Sequence, residues 1–270
     1  MRVGIIGCGA IGSVIVDAIL RGDVKVELIA LMDICPEKCE KLLEKYAAKD
    51  GVVVCRELDH LLNMRPQLVI EAASQEAVRD YVPSILAKGI NVVVLSVGAL
   101  LDKEIYNEVV KAAESSNARI YIPTGAIAGI DAVKALSLIG VKRIILRTYK
   151  NVKSFDQKVL SQLGFNEVRE RTKIFEGDGA TAVKLFPANV NVVATLALAS
   201  GKIPWVEIYA DPTLNENIHE IEVEGEVSKI RIHAENMPHP GNPKTSYLAA
   251  LSVIQLLKQL AGDTHIIVGT

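Results

Sequence analysis

Aromatic residues, cysteines and a net charge of either sign are all scarce in this sequence. Phe, Trp and Tyr make up 4% of the 270 residues, whereas half of the residues are hydrophobic, so aliphatic side chains must form the core. Four cysteines are too few for a disulfide scaffold. Because 30 Lys and Arg nearly balance 32 Asp and Glu, the chain has no overall field that attracts nucleic acid or an anionic membrane. We therefore expect small molecules or a second copy of the chain as partners, and no nucleic acid.

Long apolar runs are also absent. The most apolar stretch, residues 188–200, contains two asparagines, and no run reaches the roughly 20 residues of a membrane-spanning helix. The chain passes from Met1 into a short apolar run that breaks at Gly7, where the apolar part of a signal peptide would continue. The sequence thus predicts a soluble cytoplasmic protein with no membrane partner.

The four cysteines, Cys8, Cys35, Cys39 and Cys55, lie close together in the first part of the chain. No further Cys or His pair at zinc-ligand spacing accompanies Cys35 and Cys39, and a zinc site needs about four convergent ligands. Cysteines of cytoplasmic proteins are usually reduced. We therefore predict reduced thiols and no metal site.

Residues 1–122 alternate between apolar, strand-like runs and amphipathic, helix-like stretches. The strand-like runs lie at residues 2–6, 25–32, 52–54, 67–72, 91–95 and 119–122. The helical stretches between them lie at residues 12–21, 36–47, 75–87 and 103–115. Continuous Val, Ile and Leu runs are typical of strands buried on both faces. The pattern predicts an α/β domain with a doubly wound parallel sheet.

After Pro123 this alternation stops. We predict a helix at residues 126–139, a strand at 141–149, two helical pieces within 179–200 separated at Pro187, and a final helix at 244–260. Strand-like runs at 205–210, 218–224 and 229–234 follow one another without helices, which indicates a mixed or antiparallel sheet. We therefore assign residues 1–122 and the C-terminal helix, 243–262, to the first domain, and residues 123–242 to a second, α+β domain that binds substrate and dimerises.

The segment from Gly7 to Gly12 matches the pattern G-x-G-x-x-G between the first strand and the first helix. Gly7 suits a tight turn, Gly9 a close approach to pyrophosphate, and Gly12 close packing of helix against strand. The intervening residues Ala10 and Ile11 open the helix, whose N-terminus attracts phosphate. The segment predicts a dinucleotide site, although a glycine turn that serves packing alone is the alternative.

Asp33 ends the second strand, at the position of a ribose-binding carboxylate. A carboxylate next to a 2′-phosphate is repelled by about 1–4 kcal/mol at 4 Å. Asp33 therefore favours NAD, while the nearby Lys38 leaves NADP possible. In the alternative interpretation, Asp33 caps the helix that begins at Pro36.

Two other strand ends carry small residues and hydroxyl groups. Ala73 and Ser74 follow the strand at residues 67–72, and Ser96 and Val97 follow the strand at residues 91–95. Ligands of doubly wound sheets cross the carboxyl ends of the strands. We therefore predict cofactor contacts at these four residues, with ordinary small-residue turns as the alternative.

Several motifs, in order along nearly the whole chain, resemble those of the L-aspartate dehydrogenase family. They are the glycine segment at 7–12, Leu-Ser-Val-Gly-Ala-Leu at 95–100, Gly-Ala-Ile-Ala-Gly-Ile-Asp at 125–131, Phe-Pro-Ala-Asn-Val-Asn-Val at 186–192, Asp-Pro at 211–212 with Asn-Ile-His-Glu-Ile at 217–221, and Asn-Pro-Lys-Thr-Ser at 242–246. The resemblance implies NAD(P)-dependent interconversion of L-aspartate with iminoaspartate, or oxaloacetate plus ammonia. It also implies a homodimer and a link to NAD biosynthesis.

The same resemblance places the catalytic histidine at His219 and nicotinamide contacts at Ala126 and at Asn189 or Asn191. A free histidine titrates near 6.5, which suits proton transfer. The resemblance assigns no catalytic role to His239, although this residue is conspicuous in its loop. The segment around Lys150 departs from the Lys-Pro-Pro-like loop expected there, which puts a substrate role for Lys150 in doubt.

The two carboxylates of aspartate require cationic or amide donors. Lys244, Thr245 and Ser246 at the predicted start of the last helix form one such cradle. The alternative is that Asn242 merely caps that helix. The sequence disfavours two other functions. A dehydrogenase or reductase of the same architecture, such as a dihydrodipicolinate reductase, would have a paired-histidine motif, which this sequence lacks. A non-catalytic NAD-binding sensor would have a DNA-reading element, which this sequence also lacks.

Overall fold

The computed structural model describes residues 1–46, 51–187, 191–239, 242–262, 265–266 and 268, and only the backbone of Pro243 and Lys244. Two compact units are present. One comprises Met1–Pro123 with Ala250–Val268, and the other comprises Thr124–Ala249.

The first unit is built on a six-stranded parallel sheet with the strand order β3-β2-β1-β4-β5-β6. Its strands are β1 (Arg2–Ile6), β2 (Glu27–Met32), β3 (Val53–Cys55), β4 (Leu68–Glu71), β5 (Asn91–Val94) and β6 (Ile120–Tyr121). Its helices are α1 (Ala10–Leu20), α2 (Pro36–Leu43), α3 (Leu58–Asn63), α4 (Gln75–Ala87) and α5 (Lys103–Ser116), with a 3₁₀ helix at Val97–Leu101. This order is that of a dinucleotide-binding Rossmann sheet, which confirms the predicted fold class.

Aliphatic strand residues are buried as their sequence pattern predicts, with Val3, Ile5, Ile70 and Val93 fully inaccessible. Helix α3 was not predicted, because its six residues are too few for a helical period. Helix α2 ends at Leu43, and the predicted end of that helix at residue 47 lies outside the described residues.

The second unit contains a mixed five-stranded sheet with the order β11-β10-β7-β9-β8, in which only β7 and β9 are parallel. Its strands are β7 (Val141–Lys150), β8 (Thr172–Asp178), β9 (Trp205–Ala210), β10 (Asn217–Gly225) and β11 (Lys229–Asn236), and a separate pair is formed by β12 (Pro238–His239) and β13 (Asn242–Ser246). The helices are α6 (Ile130–Ser137), α7 (Gln157–Gln162), α8 (Gly179–Leu185) and α9 (Asn191–Ser200), with a 3₁₀ helix at Val152–Ser154. The last helix, α10 (Tyr247–Leu260), begins in this unit and belongs from Ala250 onward to the first unit. The predicted mixed sheet is confirmed.

Two predictions about this second half of the chain are wrong at the start of a helix, and two of its elements were not predicted. The helix predicted at 126–139 begins only at Ile130, because Gly129 adopts a left-handed conformation with φ of 70° at its N-cap. Helix α7 and strand β8 were missed. The last helix begins at Tyr247, because the preceding residues pair with β12 as β13. Lys244, Thr245 and Ser246 are therefore strand residues, and Asn242 does not cap α10.

The prediction of four reduced thiols is also wrong. Cys8 and Cys39 form a disulfide with a Cα–Cα distance of 5.5 Å, whereas Cys35 and Cys55 are free. Sequence spacing did not indicate this pair, because the folding of α2 against the glycine segment brings the two residues together. Among the described residues, no helix combines the length and the apolar character needed to cross a membrane.

Candidate functional site

The glycine segment forms a tight loop between β1 and α1. Gly7 has a φ of 102°, and a Cβ atom there would lie 2.5 Å from the carbonyl oxygen of Ala72. A Cβ atom on Gly12 would lie 1.9 Å from the carbonyl oxygen of Gly7. Around Gly9, by contrast, nothing lies within 4 Å of such an atom. Two glycines are therefore required by packing, and the third leaves open space in front of the N-terminus of α1, as a bound pyrophosphate requires.

Asp33 follows β2 and faces this loop. Its Oδ2 accepts a hydrogen bond from the backbone nitrogen of Cys8 at 2.8 Å, and its Oδ1 accepts one from that of Cys35 at 2.9 Å. The Nζ atom of Lys38 lies 3.7 Å from Oδ1. Cys35, rather than Asp33, occupies the N-cap position of α2, so the capping alternative for Asp33 does not hold.

A cleft of about 430 Å³ opens beside the loop and Asp33. Five of the predicted cofactor residues line it: Gly7, Gly9, Asp33, Ala73 and Ser74. Glu76 and Asp80 of α4 also line it, so that three carboxylates and Lys38 lie in one cleft. Ser74 in addition caps α4 by accepting a hydrogen bond from the nitrogen of Ala77. The predicted residues Ala10, Ile11, Gly12, Ser96 and Val97 do not line this cleft.

Ser96 and Val97 are buried behind the ends of β4 and β5, where Glu71 is fully inaccessible to solvent. The Oε1 atom of Glu71 accepts hydrogen bonds from the nitrogen of Ala73 and the hydroxyl of Ser96, both at 2.8 Å. Its Oε2 atom accepts from the nitrogen atoms of Ser96 at 2.9 Å and Leu95 at 3.3 Å. Burial raises the pKa of Glu71, while these donors oppose that rise. The carboxylate thus joins the two loops that were predicted to contact the cofactor.

In the second unit, one end of the inner face of the five-stranded sheet is polar. Its buried polar side chains are Thr148 and Lys150 of β7, Asn217 and His219 of β10, and Asn236 of β11. The same face continues into aliphatic residues such as Leu146 and Ile221, which are also buried. We call these five polar residues the inner polar cluster. Their concentration at one end of an otherwise apolar face marks that end as the candidate chemical site.

His219 of the inner polar cluster lies on β10, between β7 and β11. It pairs directly with Thr148 across the antiparallel ladder, and its Nδ1 lies 3.0 Å from the Oγ1 of Thr148. Burial, and then the charge of Lys150, lower the pKa of His219 to about 3. His219 is therefore neutral at physiological pH, and the pKa of a free histidine does not describe this residue.

Lys150 is 3% exposed and lies on the same face as His219, one diagonal step along the ladder. Burial lowers its pKa to about 8. The sequence comparison with a Lys-Pro-Pro loop had put a role for this lysine in doubt, yet the backbone carries it into the cluster. The available signal was the two-residue period of a strand, which places Thr148 and Lys150 of β7 on one face.

Ala126 is tied to the inner polar cluster through its backbone. The Nδ2 atom of Asn236 donates to the carbonyl oxygen of Ala126 at 3.0 Å, and Nδ2 of Asn217 donates to the hydroxyl of Ser246 at 3.4 Å. Ser246 is therefore buried beside the cluster, although it was predicted from a helix start that does not exist. Asn236 was not predicted, because an asparagine at a strand end carries no distinctive pattern.

The remaining predicted residues are less informative. Asn191 is the first residue of α9, whereas Asn189 lies outside the described residues. Thr245 and Lys244 belong to β13, and the side chain of Lys244 lies outside the described part of the structure. The ring of His239 stacks on Tyr247, with centroids 5.9 Å apart. Among the described residues, no group of three or more His, Cys, Asp or Glu side chains has a metal-binding arrangement.

Two family models match the chain. The model described as homoserine dehydrogenase, NAD binding domain, matches residues 7–123, which identifies this part as an NAD-binding domain. The model described as aspartate dehydrogenase, C-terminal, matches residues 131–260, which include the whole inner polar cluster.

Individual relatives match over nearly the full length. The L-aspartate dehydrogenase of Methanosarcina barkeri is 41% identical over 98% of this chain and 99% of its own. That of Methanococcus maripaludis is 42% identical with the same coverage. The crystal structure of aspartate dehydrogenase from Thermotoga maritima superposes with a TM-score of 0.76 at 29% identity, covering 100% of this chain and 99% of that one.

Proposed function

The chain belongs to the L-aspartate dehydrogenase family, and we propose that it oxidises L-aspartate with NAD to iminoaspartate, which water converts reversibly to oxaloacetate and ammonia. The observation that carries this proposal is the burial of Lys150 and His219 together on one sheet face, in a chain that also has an NAD-binding domain. An amino-acid dehydrogenase needs a proton carrier and donors for carboxylate groups, and these residue types meet both needs.

The first unit fits NAD. The open space at Gly9 and the N-terminus of α1 suit the pyrophosphate, and Asp33 suits the ribose hydroxyl groups. The carboxylates of Asp33, Glu76 and Asp80 in one cleft disfavour a 2′-phosphate, so we propose NAD over NADP despite Lys38. When bound, the nicotinamide accepts the hydride from the substrate Cα atom. Ala126 and Asn191 remain proposed contacts near it.

Lys150 is the proposed proton acceptor. The amino group of aspartate must lose a proton before its carbon can give up a hydride, and the water that later attacks the imine carbon must lose one as well. A buried amine with a pKa of about 8 is largely neutral in mildly alkaline solution and takes such protons readily. His219, which stays neutral, is the proposed catalytic contact to the substrate, with Lys244, Thr245 and Ser246 as further substrate contacts.

We also propose that the protein is a cytoplasmic homodimer linked to NAD biosynthesis. Resemblance to the family supports the dimer and the link to NAD biosynthesis, and light scattering of the purified protein tests the dimer. A mass of one chain in that experiment removes the dimer from the proposal and leaves the activity untouched.

The activity is tested by mixing the protein with NADH, oxaloacetate and ammonia and following the loss of NADH absorbance. We expect oxidation that depends on ammonia and is much slower when 2-oxoglutarate, one methylene longer, replaces oxaloacetate. His219→Gln is the test variant, and His233→Gln on the exposed face of the same sheet is its matched control. If NAD binds but no ammonia-dependent oxidation occurs, the dehydrogenase proposal fails and an NAD-binding sensor becomes the better description.

A further inference from the structure

The side chains of Thr148 and His219 meet through the Nδ1 atom of the imidazole ring. Both residues are buried, at 0% and 1% exposure, and the Thr148 Oγ1 and His219 Nδ1 atoms are 3.0 Å apart. Within the part of the chain that the structure describes, this is the one hydrogen bond made by either side chain. The Nε2 atom of His219 is thus a buried polar atom without a protein partner in that part, which points to a bound ligand.

Two neutral arrangements satisfy the contact. In the first, the Thr148 hydroxyl donates to Nδ1, and the proton of the ring lies on Nε2. In the second, Nδ1 carries the proton and donates to Thr148, so that the hydroxyl proton of Thr148 has no acceptor among the described residues. Once a ligand partners Nε2, the first arrangement leaves no donor unpaired, whereas the second leaves a buried hydroxyl donor unpaired.

A doubly protonated ring is also disfavoured. Lys150 presents a cation on the same sheet face, and burial opposes a second charge there. The acidic residues of β10, which are Glu220, Glu222 and Glu224, lie on the opposite face from His219 and do not neutralise it. On that face Glu220 contacts Tyr149 and His233, and Glu222 pairs with Arg147. His219 is thus a neutral ring whose single proton is assigned by its one protein partner.

We propose that Thr148 is a positioning residue that holds His219 in the tautomer protonated at Nε2, so that His219 donates a hydrogen bond to a substrate carboxylate and does not act as a base. This inference rests on the proposed aspartate dehydrogenase function. In this arrangement Lys150 exchanges the proton, and His219 binds and orients the substrate carboxylate. A neutral donor suits carboxylate binding, because it does not compete with Lys150 for protons.

The test is nuclear magnetic resonance of the full-length protein labelled with ¹⁵N-histidine and bound to NAD. Two-bond proton–nitrogen correlations distinguish the tautomers, and the His219→Gln variant assigns the signals. We expect the Nε2-protonated pattern in the wild-type protein and in Thr148→Ser. In Thr148→Val, which has no hydroxyl, the Nδ1-protonated form becomes detectable. Succinate, an unreactive dicarboxylate, should shift the Nε2 proton of the wild-type protein.

Three results would overturn the inference: an Nδ1-protonated or doubly protonated His219 in the wild type, an unchanged tautomer in Thr148→Val, or no response to succinate. Kinetics give a second readout, since kcat should fall about tenfold in Thr148→Val and recover in Thr148→Ser, with KM for NAD unchanged. Thr172→Val, in strand β8, is the matched control. The spectra require no turnover, so a protein inactive on aspartate would contradict the proposed function without deciding the tautomer.

Discussion

The carboxylate of Asp33 holds the backbone of Cys8, with 2.8 Å between Oδ2 and the amide nitrogen. This bond joins the end of β2 to the loop between Gly7 and Gly9. The Asp33 side chain is 8% exposed and also accepts a hydrogen bond from the amide of Cys35. The loop and the residue that suits the ribose are therefore held together by the protein itself.

Replacing Asp33 by Ser should change cofactor preference. Loss of the negative charge removes a repulsion of about 1–4 kcal/mol toward a 2′-phosphate, so the ratio of kcat/KM for NAD over NADP should fall about tenfold or more. Asp59→Asn, an exposed change on α3, is the control. An unchanged ratio would exclude Asp33 from the ribose site.

Glu71→Gln should loosen the ends of β4 and β5. A carboxylate accepts hydrogen bonds at both oxygens. The NH2 group of Gln is a donor, and it would face either the N–H group of Ala73 or those of Leu95 and Ser96. We expect a loss of about 1–3 kcal/mol in the free energy of unfolding in urea, together with a higher KM for NAD. Glu76→Gln, in the cleft beside the glycine loop, should keep wild-type stability. Equal stability of the two variants would show that the four hydrogen bonds of Glu71 contribute nothing.

His219→Gln should lower kcat by about 100-fold while NAD binds with unchanged affinity, because His219 belongs to the second unit and is proposed to contact the substrate. Steady-state kinetics and NAD titration measure the two quantities. A variant that turns over normally would shift attention to His239. Loss of NAD binding instead would mean that His219 supports the cofactor.

Lys150 should control the pH dependence of the reaction. Its pKa is lowered to about 8, so the amine is protonated below that pH and neutral above it. We therefore expect kcat/KM for aspartate to rise as the pH passes through about 8. Lys150→Arg, which stays charged, should lose this rise together with most of the activity, whereas Lys173→Arg should keep it. A wild-type profile in Lys150→Arg would exclude the lysine as the proton acceptor.

The disulfide between Cys8 and Cys39 should stabilise the first unit. It closes a loop across a sequence separation of 31 residues, so its loss should lower the free energy of unfolding by about 2–4 kcal/mol. Urea unfolding of Cys39→Ser with and without a reducing agent measures this, and Cys35→Ser is the control. If reducing agent leaves the wild-type protein unaffected, the two thiols are reduced in solution.

Short-range patterns in the sequence were sufficient for the first unit. Apolar runs, amphipathic stretches and the glycine junction each depend on residues that are neighbours in the chain, so β1, β5 and α4 were predicted to within a residue. The loop chemistry of Gly7 and Gly12 was predictable for the same reason. Prediction failed where an element is short, as at α3 and α7, or where a strand is paired by a distant partner, as at β8.

The site in the second unit depends on the register between strands. Thr148 meets His219 across 71 residues of sequence, and Lys150 joins them because β7 pairs with β10 in one register out of several. Burial then moves the pKa values of His219 and Lys150 far from those of the free side chains, which reverses the proton role expected from residue type alone. Residue identity determined which groups were available for chemistry, whereas long-range pairing and desolvation decided which of them titrate, because both depend on neighbours that are remote in the chain.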